Sequence, residues 1–184
     1  DERIVARALD SLLAAAPALG NNDAYRYDVV NLARQVLGQL GLPLVNQLQA
    51  AYEARDRAKL VATEGEIESL LRDLDTLVGT RQEFLLGRWI ADAKRWGTTD
   101  DERRLYEWNA RNIITLWGNK CTEGENDDLN LYAFKEWEGM FTGYFLPRWE
   151  AFFKDLNASL GSGKPFDRAP FAVASCKWEQ SWSH

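Results

Sequence analysis

The stretch EFLLGRWIADAKRWGTTDDERRLYEWNARNIITLWG, from Glu83 to Gly118, decides the fold class. Leu85, Leu86, Trp89, Ile90, Ala93 and Trp96 recur at three- and four-residue steps, which gathers them on one face of a helix. The segment GTTDDE then starts a second helix. Thr98 or Thr99 supplies a capping hydroxyl, and Asp100, Asp101 and Glu102 occupy the first turn, where the helix dipole favours negative charge. Leu105, Trp108, Ile113, Ile114, Leu116 and Trp117 carry this helix to about Trp117. They cover most of its circumference, which predicts burial on several sides.

The same period continues outward on both sides. Leu60, Ile67, Leu70, Leu71, Leu74 and Leu77 predict a helix over about 59–78, closed by GTRQ. Before it, Tyr27, Val30, Ala33, Val36, Leu37 and Leu40 predict a helix from Asp23 or Ala24. Pro43 removes a backbone donor and is expected to kink that helix without ending it. The first helix runs from about Glu2 to Ala16, on Ile4, Val5, Ala8, Leu12 and Ala15. Beyond the polar loop Gly118–Asp128, the stripe Leu131, Phe134, Trp137, Phe141 and Phe145 predicts one long aromatic helix. Gly139 and Gly143 would let another backbone approach it, and Pro147 would bend it. Gly161, Gly163, Pro165 and Pro170 predict irregular chain after Leu160. No segment alternates with period two. The fold class is therefore all-α, a multi-helix bundle with an irregular C-terminal tail. It reads as a single helical domain over 1–184, with the bundle at about 2–160 and the wrapping tail at about 161–184.

Composition narrows the function classes. A chain of 184 residues, 46% of them hydrophobic, can bury a core. The net charge of −6 argues against a nucleic-acid partner, which needs a concentrated basic surface. No apolar run approaches the ~20 residues of a membrane span. The opening DERIVARALD is charged and helical with no signal-peptide pattern, so the start reads as a boundary inside a longer protein. Cys121 and Cys176 show no zinc-type spacing. Two lone thiols in a chain of this size more often sit unpaired, although in an exported parent they could pair.

Catalytic chemistry is missing. The one histidine is the terminal His184, expected to fray. That excludes Ser/His/Asp and Cys/His constellations, and there is no phosphate-binding glycine loop. Glu123, Glu125, Asp127 and Asp128 do not follow an EF-hand register and read as a solvated loop, not a calcium site. No catalytic residue, metal or cofactor is expected. The eight tryptophans build either a large aromatic core or, in part, platforms for sugar rings.

Four segments, in this order and spacing, resemble a known family: YRYDVVNLARQVL (Tyr25–Leu37), EFLLGRWIADAK (Glu83–Lys94), YEWNARNIITLWG (Tyr106–Gly118) and LYAFKEWEGMFTGYFLPRWEAFF (Leu131–Phe153). They are similar to the C-terminal helical domain of alpha-N-acetylglucosaminidases, the family-89 glycoside hydrolases. The resemblance covers nearly the whole chain. It implies a larger parent with a small α/β domain and a TIM-like barrel, which carries two catalytic glutamates and releases terminal α-linked N-acetylglucosamine. Neither barrel nor glutamates are in this chain, so the chain alone is expected to be inactive. Relatives usually carry a further amphipathic helix after KWEQSWSH, which also implies a fragment.

The resemblance further implies that the helical domain closes one side of the sugar pocket. Trp117, Leu129 and Tyr132 match the wall positions, although relatives usually have Asp where Leu131 stands. The implied partners are the catalytic barrel and a glycan with terminal N-acetylglucosamine. The implied location is exported, periplasmic or lysosomal. The competing expectation is a free-standing helical carbohydrate-binding or protein-interaction module.

Overall fold

The computed structural model describes residues 2–118, 121 and 131–184. Among these the chain is helical, and the β-type contact present is an isolated parallel bridge between Leu85 and Glu138. The helices fall into two compact units, Asp1–Phe84 and Leu85–His184.

The first unit holds α1 (Glu2–Ala14), α2 (Ala16–Leu19), α3 (Asp23–Gly38), α4 (Gly41–Glu53) and α5 (Arg57–Val78), followed by a 3-10 turn at Gln82–Phe84. Helix α5 packs on α3 and α4, and α3 packs on α1. Leu48, Ala51, Leu60, Ile67, Leu74 and Val78 are buried in this core. The start of α3 is anchored twice. Asn22 caps it by accepting from the Tyr25 amide, and the Tyr25 hydroxyl donates to the Leu12 carbonyl at 2.7 Å. Arg81 grips Asp23 through both terminal nitrogens, at 2.7 and 3.2 Å, and its Nε donates to Glu83 at 3.1 Å.

Two expectations change in this unit. The first helix stops at Ala14, because Pro17 takes the second position of the short α2 instead of extending α1. The expected kink at Pro43 is a break at Gln39–Leu40. Pro43 becomes the third residue of α4, where an amide would have had no intrahelical acceptor.

The second unit holds α6 (Leu86–Lys94), α7 (Asp100–Ile113), a π-turn at Phe141–Phe145, α8 (Leu146–Ser162) and α9 (Arg168–Ser183). Leu86, Ile90, Ala110, Ile114, Met140 and Tyr144 form its core, with Trp137, Phe145, Trp178 and Trp182 packed against it. Thr99 is the capping residue of α7. Its side chain accepts from the Glu102 amide while Glu102 reaches back to the Thr99 amide, a complete capping box.

Here the sequence expectation fails at several places. Helix α7 ends at Ile113, not Trp117, and it is not buried all round: Leu105 is 52% and Ile113 41% exposed. The long aromatic helix begins only at Phe141, so Leu131, Phe134 and Trp137 lie on irregular chain. That chain is pinned by the Leu86 amide donating to the Glu138 carbonyl, and it turns at Gly139 with φ +83°. Gly139 faces the Leu86 side chain and Gly143 faces open space, so among the described residues no second backbone approaches either. Pro147 is the second residue of α8, in the first turn, where a missing amide costs no intrahelical bond.

Residues 168–183 are helix, not irregular tail. Gly163 closes α8 in the left-handed conformation, Asp167 caps α9, and Pro170 lies in the first turn of α9. The glycines and prolines that read as loop signals are thus the punctuation between two helices. His184 is not frayed; its ring lies 6.0 Å from that of Trp108.

Candidate functional site

The end of α7 builds the candidate site. The Asn112 carbonyl accepts from both the Thr115 amide (3.2 Å) and the Trp117 amide (2.9 Å), which winds the last residues tightly off the helix. The Thr115 hydroxyl donates to the Arg111 carbonyl at 2.7 Å, and Thr115 is itself buried. The Thr115 carbonyl then accepts from the Leu131 amide at 2.7 Å. This one bond brings the chain on the far side of residues 119–130 back beside Trp117.

The result places Trp117 and Tyr132 together. Their rings lie 6.2 Å apart at an interplanar angle of 31°. Tyr132 is 73% exposed and Trp117 is half-buried, so neither is a core residue. The third expected wall residue, Leu129, and the acidic residues Glu123, Glu125, Asp127 and Asp128 lie outside the described residues. Phe134 is exposed near Tyr132 in sequence, and its ring meets Phe145 edge-on at 6.5 Å.

The backbone here is strained. Trp117 (φ 55°), Cys121 (φ 57°) and Leu131 (φ 62°) are all left-handed residues that bear a Cβ. Such residues persist only where their surroundings over-determine them, and they concentrate at ligand sites and switch regions. One constraint is covalent: Cys121 and Cys176 are joined in a disulfide, contrary to the expectation of unpaired thiols. Both half-cystines are buried with Leu116.

Sequence reasoning missed a second constellation. Glu179 on α9 is 1% exposed and accepts the Tyr144 hydroxyl. Its other oxygen lies 3.0 Å from Arg148 Nε and 3.3 Å from the Ser175 hydroxyl. Burial first, and then the Glu179 charge, push the Tyr144 phenol far above its usual range. The four-residue spacings Tyr144/Arg148 and Ser175/Glu179 were the available signal, but they show only when both segments are helical and face each other.

Elsewhere on this unit a groove of about 610 Å³ runs along Ile90, Lys94, Arg95 and Arg103, and two further grooves have aromatic walls. One, of about 440 Å³, runs between α6 and α7 along Trp89, Trp96, Tyr106, Asn109 and Ile113. The other, of about 230 Å³, lies between α8 and α9, with Arg148 and Ser175 beside Trp149, Phe152 and Phe171. Among the described residues no group of three or more His, Cys, Asp or Glu side chains converges on a point, and no helix is long and apolar enough to cross a membrane.

Comparison with known proteins agrees with this architecture. The chain is 33% identical to human alpha-N-acetylglucosaminidase over 172 residues, which is 93% of this chain and 22% of that protein. It superposes on the family-89 glycoside hydrolase from Clostridium perfringens in complex with PUGNAc, with a TM-score of 0.84, 25% identity, and coverage of 98% of this chain and 20% of that one. A structure of the Clostridium perfringens protein in complex with its substrate GlcNAc-alpha-1,4-galactose matches with a TM-score of 0.85 at the same identity and coverage. The chain thus spans about a fifth of the length of these relatives. The family model described as the alpha-N-acetylglucosaminidase (NAGLU) C-terminal domain matches residues 1–184, and the chain belongs to that family.

Proposed function

We propose that this chain packs on a catalytic barrel belonging to the same parent protein and lends that barrel one wall of its sugar pocket. The parent would be an exported, periplasmic or lysosomal enzyme that removes terminal α-linked N-acetylglucosamine. The observation that carries this reading is the pairing of Trp117 and Tyr132 on a constrained, left-handed backbone, with Tyr132 largely exposed. Trp117 offers a flat apolar face to sugar C–H groups, and the Tyr132 hydroxyl offers a directional hydrogen bond. Leu129 is the third wall residue of the proposal. The buried Cys121–Cys176 disulfide supports an oxidising compartment for the parent. The relatives' greater length supports a barrel outside this chain. On this reading the catalytic carboxylates belong to the barrel, and the isolated chain is expected not to turn over an aryl α-N-acetylglucosaminide.

Trp117→Ala tests the reading in the full-length parent. Loss of a stacking contact costs ~1–3 kcal/mol, about one to two decades in kcat/KM. A structural Trp117 would instead cost ~3–5 kcal/mol of stability. A large drop in melting temperature, with kcat/KM unchanged for the folded fraction, would refute the wall. Turnover by the pure isolated chain would refute the division of labour with a barrel.

A further inference from the structure

We propose that the Cys121–Cys176 disulfide is a positioning device for the Trp117–Tyr132 pair, setting substrate affinity in the parent enzyme beyond its effect on stability. The inference rests on the wall reading above. Cys176 sits on α9, and three residues further along the same helix Glu179 is held by Tyr144 and Arg148 from the π-turn and α8. Cys176 is therefore fixed to the core of its unit. Its Cα lies 5.4 Å from that of Cys121, which follows Trp117 by four residues. Leu116, the residue before Trp117, is buried against both half-cystines.

Among the described residues, the chain after α7 is tied by the Trp117 amide donating to Asn112, by the Leu131 amide donating to Thr115 and by the disulfide at Cys121. All three bear on the segment that contains the left-handed residues Trp117, Cys121 and Leu131. Hydrogen bonds alone leave such a backbone free to relax toward ordinary φ values, and a relaxed Trp117 would carry its ring away from Tyr132. The cross-link to α9 opposes that relaxation. A site that works by stacking depends on ring placement to within a fraction of an ångström, because looser walls spend binding energy on reordering.

The test uses the full-length parent with the variant Cys121→Ala/Cys176→Ala. Trp117→Ala and Leu156→Ala, a buried residue of α8 outside the cluster that holds both half-cystines, run beside it. The double variant should raise KM for an aryl α-N-acetylglucosaminide roughly tenfold, with kcat nearly unchanged, because uniform binding is what is lost. Leu156→Ala should lower the melting temperature without moving KM. If Trp117→Ala raises KM and the double variant only melts earlier, the disulfide is a stability staple and the wall reading survives alone. If Trp117→Ala leaves kcat/KM unchanged for the folded fraction, the wall reading falls and this proposal falls with it. Should the double variant fail to fold, the wild-type enzyme is reduced mildly, with alkylation of Cys121 and Cys176 followed by mass spectrometry. KM should rise with their modification, and unblocked samples should recover on reoxidation; a constant KM overturns the proposal.

Discussion

Arg148 Nε lies 3.0 Å from Oε1 of Glu179, joining α8 to α9 through a carboxylate that is only 1% exposed. The same guanidinium sits 5.2 Å over the ring of Tyr144, whose hydroxyl donates to the other Glu179 oxygen. Every side of the buried charge is therefore answered, and α9 is held where Cys176 needs it. A buried pair is costly to break from one side and cheaper to remove whole. Arg148→Met should destabilise the domain by about 3–5 kcal/mol, because Glu179 keeps its burial and loses its counter-charge. Arg148→Met/Glu179→Leu should cost clearly less than the two single changes added together. Urea denaturation of the four proteins gives the cycle, and strict additivity would show that the two groups do not act as a pair.

Glu107 predicts an acid limb. Lys94 donates to it at 2.6 Å and Arg111 at 2.8 Å, and these partners hold its carboxyl below the ordinary value of 4.5, the Lys94 bond first. The native state then binds its proton less readily than the unfolded chain does. The stabilisation is complete above about 4.5 and is lost as pH falls through the lowered native value. Glu107→Gln should cost roughly 1 kcal/mol at neutral pH, since both partners are partly solvated, and the difference should close as pH falls below that lowered native value. Thermal melts across that range check it; a constant difference at all pH values would remove Glu107 from the acid limb.

The helical period and the start of α7 were legible because they are local: Thr99 and Glu102 are three residues apart, and capping needs nothing else. What could not be read depended on partners distant in sequence. Leu131, Phe134 and Trp137 keep helical spacing with Phe141, yet the Leu86 amide claims the Glu138 carbonyl across the unit and Gly139 turns the chain. Gly163, Pro165 and Pro170 carried a true signal of interruption, but the same residues serve a loop and the gap between α8 and α9 equally well. The pairing of Cys121 with Cys176, across 55 residues, needed α9 to be a helix first. Of the site, Trp117 and Tyr132 came from family resemblance; the helical period reached Trp117 but read it as a buried helix residue, and no spacing marks Tyr132.

Gly139 is a point where glycine is required. Its φ is +83°, and a Cβ built there would lie 3.4 Å from the Leu86 Cβ. Gly139→Ala should lose about 1–2 kcal/mol from the left-handed conformation alone. The new Cβ would meet Leu86 at ordinary contact distance, so the left-handed φ carries the cost. Chemical denaturation measures the loss. Gly143→Ala is the comparison: it has open space around its Cβ and an ordinary φ, and should be neutral or mildly stabilising. Equal losses at the two glycines would show that the left-handed φ does not set the cost at Gly139.

Arg55 offers the opposite case. It closes α4 with φ 56°, the position where helices most often place glycine. Its amide donates to the Tyr52 carbonyl at 3.0 Å, and the next amide, Asp56, donates to the Ala51 carbonyl at 2.9 Å. Asp56 then caps α5 by accepting from the Lys59 amide, so the turn joins two helices with no spare residue. The geometry is fixed from both sides, and Arg55 bears a left-handed penalty of ~1–2 kcal/mol that glycine would avoid. Against this, glycine adds ~0.5–1 kcal/mol of unfolded-chain entropy. Arg55→Gly should therefore gain on the order of 0.5–1 kcal/mol, a rise of a few degrees in melting temperature. Arg55→Ala keeps the Cβ and its penalty, and because Arg55 is exposed it should stay within about 0.5 kcal/mol of the wild type. Melting curves of the three proteins separate backbone from side chain. Glycine falling below alanine would show that the closure is not strained and that the Arg55 conformation is one the chain adopts without cost.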